Sequence, residues 1–346
     1  MPAPDVTPFL HEKHGFCHPD WQAIGLLIEE QVPETEWHAA WEAASREWVT
    51  RLRDTLGGDY QLHETPNFLI LSAAPLRIIR DACASFEKAL QEILSNLEGV
   101  ALDEGYGKHV VLMFESLDEY YAYLDYFYPE GDHPMSSGVC LSGEGYVHFA
   151  FPTVDYSSYR TVLVHELTHA CLGDLPIPLW LNEALAMRME QVICGTPTFH
   201  LDKEIYDKHL DYWDGETIQQ FWSGHSWSLP GDSNELSYNL AQILWRKIET
   251  DLSAPRDAIL EFAATAHYGD AGEAAFQEVF ELGLEELMTD FLGEGPWEPD
   301  PTRWADPIGD RPGENRITAV PSVGSMNIGS PDSAMRLNSL SAFDVC

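Results

Sequence analysis

A chain of 346 residues that is 45% hydrophobic and 12% aromatic can build a sizeable core, and its length suits two lobes. With 19 Lys and Arg against 57 Asp and Glu, its formal net charge is −38, a surface that repels nucleic acid and anionic membrane and suits cations or a basic partner. There is no apolar run of transmembrane length, no basic-then-apolar leader at the start and no C-x-x-C pairing among the six cysteines, which fits a cytoplasmic protein with reduced thiols.

Residues 1–33 carry Pro and His with little periodicity. Trp37, Trp41, Trp48, Val49 and Leu52 then recur at helical spacing, predicting a helix over 36–56 that Gly57-Gly58 stops. NFLILS (67–72) reads as a buried strand, residues 75–99 as a long helix with Ile79, Ala82, Phe86, Leu90, Ile93 and Leu97 inward, and HVVLMF (109–114) as a second strand. Ser116-Leu117-Asp118-Glu119 is a capping-box start for an aromatic helix to about Phe127. VCLS, the turn Gly143-Glu144-Gly145 and YVHFAF predict a hairpin. Beyond Pro152 the pattern is helical, over 157–172, 179–193, 201–213, 234–250, 255–267, 271–281 and 284–292.

The chain therefore divides into an N-terminal extension with one amphipathic helix (1–58), an α+β lobe (59–173), a helical lobe (174–294) and a Pro-rich tail (295–346) that reads as extended or disordered. The fold class is α+β: a mixed α/β N-terminal lobe with a small sheet, and an all-helical C-terminal lobe.

Within TVLVHELTHACLG (161–173) stands the pattern H-E-x-x-H. Helix positions four apart are rotated by about 400°, so His165 and His169 project from one face and can hold one ion. Glu166, turned about 100° from His165, can reach a water on that ion and act as general base. Flanking Val162, Leu163, Val164, Leu167, Ala170 and Leu172 bury the helix, and burying two imidazoles and a carboxylate without partners would cost several kcal/mol. A metal removes that cost; two core histidines bonded to backbone are the plainer alternative. His11-Glu12-Lys13-His14 looks similar, but its histidines are three apart and lack apolar surroundings, so it reads as solvated terminus.

A catalytic zinc needs three protein ligands and an open position. After a C-cap at Gly173-Asp174 and the turn Leu175-Pro176-Ile177-Pro178, a second apolar helix opens with Leu179-Trp180-Leu181-Asn182-Glu183. Glu183 is the lone acid from Leu175 through Met189, which marks it as the third ligand; a carboxylate stabilised by the helix dipole is the alternative.

HELTHACLG followed by PLWLNEALA resembles the gluzincin zinc metallopeptidases, the thermolysin-like superfamily, and within it the peptidase-MA-like group with a W-L-x-E-[GA]-L-A block. The likeness covers about residues 59 to 290. It implies one Zn²⁺ per chain on His165, His169 and Glu183, Glu166 as general base, a site in a cleft between the two lobes, and a peptide or protein substrate. It also implies that YVHFAF pairs with an extended peptide by strand addition, with His148 an ordinary edge residue. Longer-spacer gluzincins carry an aspartate one turn after the glutamate ligand, but here that turn is Ala186-Met187. Glu190 lies on the face of Glu183 but reads first as a solvated helix-end residue.

The developing oxyanion needs a further donor. Tyr238, opening a helix in ELSYNLAQILWRKI as in the family, is favoured over His225 in FWSGHSWS, although Tyr238 also shares a packing face with Ala241, Trp245 and Ile248. The expected function is zinc-dependent peptide hydrolysis. Hydrolysis of a non-peptide amide or ester, or an idle zinc-stabilised binding protein with an acidic surface, stands beside it.

Overall fold

A computed structural model of the chain describes residues 3–128, 136–143, 145–153, 159–173, 175–195, 200–229, 231–304 and, as backbone, 316–321. Glu144 of the predicted turn, Asp174 of the predicted C-cap, Cys346 and the tail residues 305–315 and 322–346 lie outside these.

The segment before Trp37 is more ordered than its weak patterning predicts. It holds the strands β1 (Leu10–Lys13) and β2 (Phe16–Pro19), paired antiparallel, and helix α1 (Trp21–Gln31). Asp20 caps α1 by accepting from the Ala23 amide at 2.8 Å, and Trp21, Ile24 and Ile28 are buried one turn apart. His11 and the acid and lysine after it sit on β1, exposed as expected. Helix α2 (Trp37–Leu56) ends at Gly57, whose φ of 67° suits a residue without a β-carbon.

Next come β3 (Gln61–Glu64), β4 (Phe68–Ser72), α3 (Leu76–Asn96), β5 (His109–Phe114), α4 (Leu117–Leu124), β6 (Ser136–Gly143) and β7 (Tyr146–Pro152). Ser116 caps α4, accepting from the Glu119 amide at 3.2 Å. The strands form a sheet in the order β3-β4-β5-β7-β6. β4 and β7 run parallel to β5, while the outer pairs β3–β4 and β6–β7 are antiparallel hairpins. A further strand, β8 (Arg316–Pro321), pairs antiparallel with β6.

Both sheet faces are covered, and alternation along each strand assigns residues to one cover or the other. Leu69, Leu71, Val110, Leu112, Val139 and Leu141 pack with Trp21, Ile24, Trp48, Val49 and Leu52 of α1 and α2. Phe68, Ile70, Val111, Met113, Phe149 and Phe151 pack on the opposite side with Phe86 and Ile93 of α3 and with α5 (Tyr159–Leu172). That second core continues without a break into α6 (Leu179–Met189), α7 (Lys203–Tyr212), α8 (Thr217–Trp222), α9 (Ser233–Thr250), α10 (Arg256–Thr265), α11 (Glu273–Phe280) and α12 (Leu284–Leu292). The architecture is α+β. No helix among the described residues is long and apolar enough to cross a membrane, and Cys17, Cys83, Cys140, Cys171 and Cys194 form no disulfide with one another.

Two expectations need correcting. The tail is not disordered at its start, because Trp297 is buried and its carbonyl accepts from the Trp222 indole at 2.8 Å; Gly215, Gln219 and Trp222 hold residues 297–303 against α8. The strand YVHFAF is not an edge, since β7 lies between β5 and β6, and His148 is buried with its Nε2 bonded to the Tyr123 hydroxyl at 2.7 Å.

His148 belongs to an aromatic cluster with His18, whose ring stacks 3.8 Å from that of Tyr126 and has no hydrogen-bond partner on either nitrogen. Burial pushes both imidazoles down to about 3. The unfolded histidines bind protons below about pH 6.5 whereas the folded ones wait until about 3, so stability is full above pH 6.5 and falls as pH drops from there toward 3. Each histidine contributes a slope of up to about 1.4 kcal/mol per pH unit in that window. His18→Phe, which breaks no hydrogen bond, should flatten the decline in urea midpoint between pH 7 and 5 by about one histidine's share. An unchanged slope would show that this ring does not carry it.

Candidate metal centre

Helix α5 is buried on nearly every side, between the sheet and α6. The Tyr159 hydroxyl at its start donates to Asp81 Oδ2 of α3 at 2.8 Å, and Thr168 satisfies its own hydroxyl on the Val164 carbonyl at 2.7 Å. After Leu172 the Leu175 amide bonds back to the Leu172 carbonyl at 3.0 Å, and Pro176 and Pro178 prevent helix from continuing. Pro178, extended at φ −67° and ψ 147°, starts α6, which returns against α5. Trp180 fixes α6 to the helices beyond by donating to the Ala271 carbonyl at 2.9 Å.

These two helices bring His165, His169 and Glu183 together, with one donor atom from each lying within 4.8 Å of the others. Glu183 Oε2 is 3.2 Å from His165 Nε2 and 3.6 Å from His169 Nε2, and the two rings meet edge to face at 4.6 Å between centroids. All three side chains are buried, and Glu166 beside them is fully so.

The distal nitrogens are held from behind. His169 Nδ1 lies 2.6 Å from Asn182 Oδ1, and His165 Nδ1 lies 2.5 Å from Glu190 Oε1. Acceptors there hold a proton on each Nδ1 and turn both Nε2 atoms toward Glu183. Glu190 is thus no solvated helix end but is buried, because α6 passes into a π-type turn over Glu190–Cys194 that folds back on α5. Arg160 on α5 clamps that turn by donating to the Ile193 carbonyl at 2.9 Å, and Gly195 leaves it in a left-handed conformation at φ 72°.

His169 Nε2 and Glu183 Oε2 have no hydrogen-bond partner although both are buried. Burial alone would strip the proton from His165, yet Glu183 and Glu190 outweigh it and raise its proton affinity well above the ordinary value. Burial likewise pushes the Glu183 carboxyl up, but the two histidines hold it down at about 2. Both directions describe a cluster short of positive charge, with Glu166, Glu183 and Glu190 all buried around it. Two imidazole nitrogens and a carboxylate oxygen are donors that zinc accepts, so the residues fit that ion.

No protein-family model matches the chain, and no curated protein matches it.

Tyr238, on α9, reaches the same place. Burial raises its phenol well above the usual value, with the charges of Glu183, Glu166 and Glu190 adding to the shift. It also packs edge-on to Trp227 at 6.2 Å, so the sequence's two readings of Tyr238, packing and proximity to the chemistry, describe one position. His225 begins the 3-10 turn His225–Ser228, which rests on α9 through the Ser237–Ser226 hydroxyl bond at 2.7 Å.

Sequence reasoning missed Asn182 and Tyr128. Asn182 directly precedes Glu183, and a polar residue in an otherwise apolar helix is a readable signal. Tyr128 is pushed up to about 12 by burial, with the Glu166 charge adding to it. Nothing in the aromatic run Tyr126-Phe127-Tyr128 sets it apart in sequence. Glu190→Ala and Asn182→Ala should each weaken zinc binding by about 10–100-fold, read by competition with a chromophoric chelator. Wild-type affinity in either variant would remove that residue from the site.

Proposed function

We propose that the chain is a zinc-dependent peptidase, with zinc on His165, His169 and Glu183 and Glu166 as general base. The observation that carries this reading is the convergence of three buried donor atoms within 4.8 Å beside a fully buried fourth side chain, Glu166. Zinc held there would supply a Lewis acid that makes water nucleophilic near neutral pH and polarises a carbonyl.

Glu166, one residue along α5 from His165, takes the proton of the attacking water and returns it to the leaving nitrogen. Tyr238 keeps its proton at neutral pH and donates a hydrogen bond to the oxygen on which charge develops; such a donor contributes about 2.7–4 kcal/mol. Asn182 and Glu190 hold the rings so that both Nε2 atoms face Glu183, where an ion would be held. An extended substrate would add to the sheet along β6 rather than β7, since β7 is interior, on the side of β6 that β8 occupies here.

The same groups could hydrolyse a non-peptide amide or ester. An idle zinc-stabilised binding protein is disfavoured, because a purely structural ion gives no reason to bury Glu166 beside it. The deciding experiment incubates purified, zinc-loaded chain with an unbiased peptide library, with and without a chelator. Cleavage that stops on chelation and returns with zinc supports the peptidase. Zinc-loaded chain that cuts no peptide rules it out.

A further inference from the structure

β6 ends the row β3-β4-β5-β7-β6, and its outer side is taken by a segment of the same chain. Ser136 faces Pro321, Gly138 faces Val320 and the ladder continues to Ser142 opposite Arg316, with one register irregularity between Ser136 and Gly138. β6 is also pressed onto the metal-site helix. A β-carbon at Gly138 would overlap Val162 Cγ1 and approach Phe151 Cβ to 3.0 Å. Val162 stands one turn before Glu166 on α5, and β8 itself lies against α5. A strand added at this edge therefore runs beside the helix that carries His165 and Glu166.

We propose that Arg316–Pro321 is a tethered occupant of the edge at which an extended peptide docks, so that the chain restrains its own site; this deepens and rests on the peptidase reading. A sheet edge pairs with one strand at a time, and a tethered strand competes as though present at about millimolar concentration. The segment RITAVP suits the place: Ile317, Thr318 and Val320 are β-branched, and Pro321 cannot extend the ladder. It also names the substrate class, an unfolded segment rich in β-branched residues with a basic residue, which the charge of −38 attracts.

The test uses two full-length variants. Thr318 lies opposite Cys140, so Thr318→Cys under oxidised glutathione should form a disulfide to Cys140, mapped by mass spectrometry. That link should suppress peptide hydrolysis by at least about tenfold and release it on reduction. Thr318→Pro, which disrupts the ladder, should lower KM for extended peptides several-fold with little change in kcat. It should also bind fluorescein-labelled RITAVP by anisotropy where the wild type does not. No disulfide to Cys140, or equal peptide binding by both chains, overturns the proposal. Peptide binding restricted to Thr318→Pro, with zinc bound and no hydrolysis by either chain, would uphold the tethered strand and refute the peptidase.

Discussion

Glu166→Gln should keep about one zinc ion per chain and lose peptide hydrolysis by about 10²–10⁴-fold, the usual contribution of a positioned general base. The substitution preserves size and shape in a fully buried position, so the surrounding core has no reason to move. What it removes is basicity, since an amide cannot take a proton from water. The three metal donors are untouched, and their orientation comes from Asn182 and Glu190 rather than from Glu166. Metal analysis and single-turnover hydrolysis on the same preparation separate loss of chemistry from loss of the ion. Undiminished hydrolysis with zinc bound would falsify the assignment of Glu166.

Removing a ligand has a different signature. Glu183→Ala or His169→Ala should leave almost no zinc after dialysis and abolish the metal-dependent part of thermal stability. In the wild type a chelator should lower Tm, because an ion held by the folded cluster and not by the dispersed side chains stabilises the folded state alone. In Glu183→Ala the Tm should be the same with zinc or with chelator, and hydrolysis should vanish along with the ion. A variant that retained full zinc would show that Glu183 is a core carboxylate paired with His165 and not a ligand.

The sequence made the donors legible because helical spacing converts directly into geometry. His165 and His169 share a face whatever surrounds them, and Glu183 stood out as an acid in an apolar helix. The long helices α2 and α3 and the buried strands β4 and β5 were equally readable from periodicity. Helix α1 could have been read from Asp20 and the Trp21, Ile24, Ile28 spacing, but Gly25 and exposed Leu26 blur the stripe. The position of Glu190 was hidden, because its burial depends on a π-type turn clamped by Arg160 from another helix. Strand order was hidden for a related reason. β6 and β7 are two arms of one hairpin, and which of them sits next to β5 is decided by a pairing far away along the chain.

The covering of the sheet by α1 and α2 has a consequence for anyone cutting the chain. A fragment starting at β3 would keep every metal donor yet present Leu69, Leu71, Val110 and Leu112 as one bare apolar surface. Such a surface invites aggregation, so loss of zinc binding in that fragment would report insolubility rather than anything about the donors. The first 56 residues, remote from His165 in sequence, thus belong in any fragment used to test those donors.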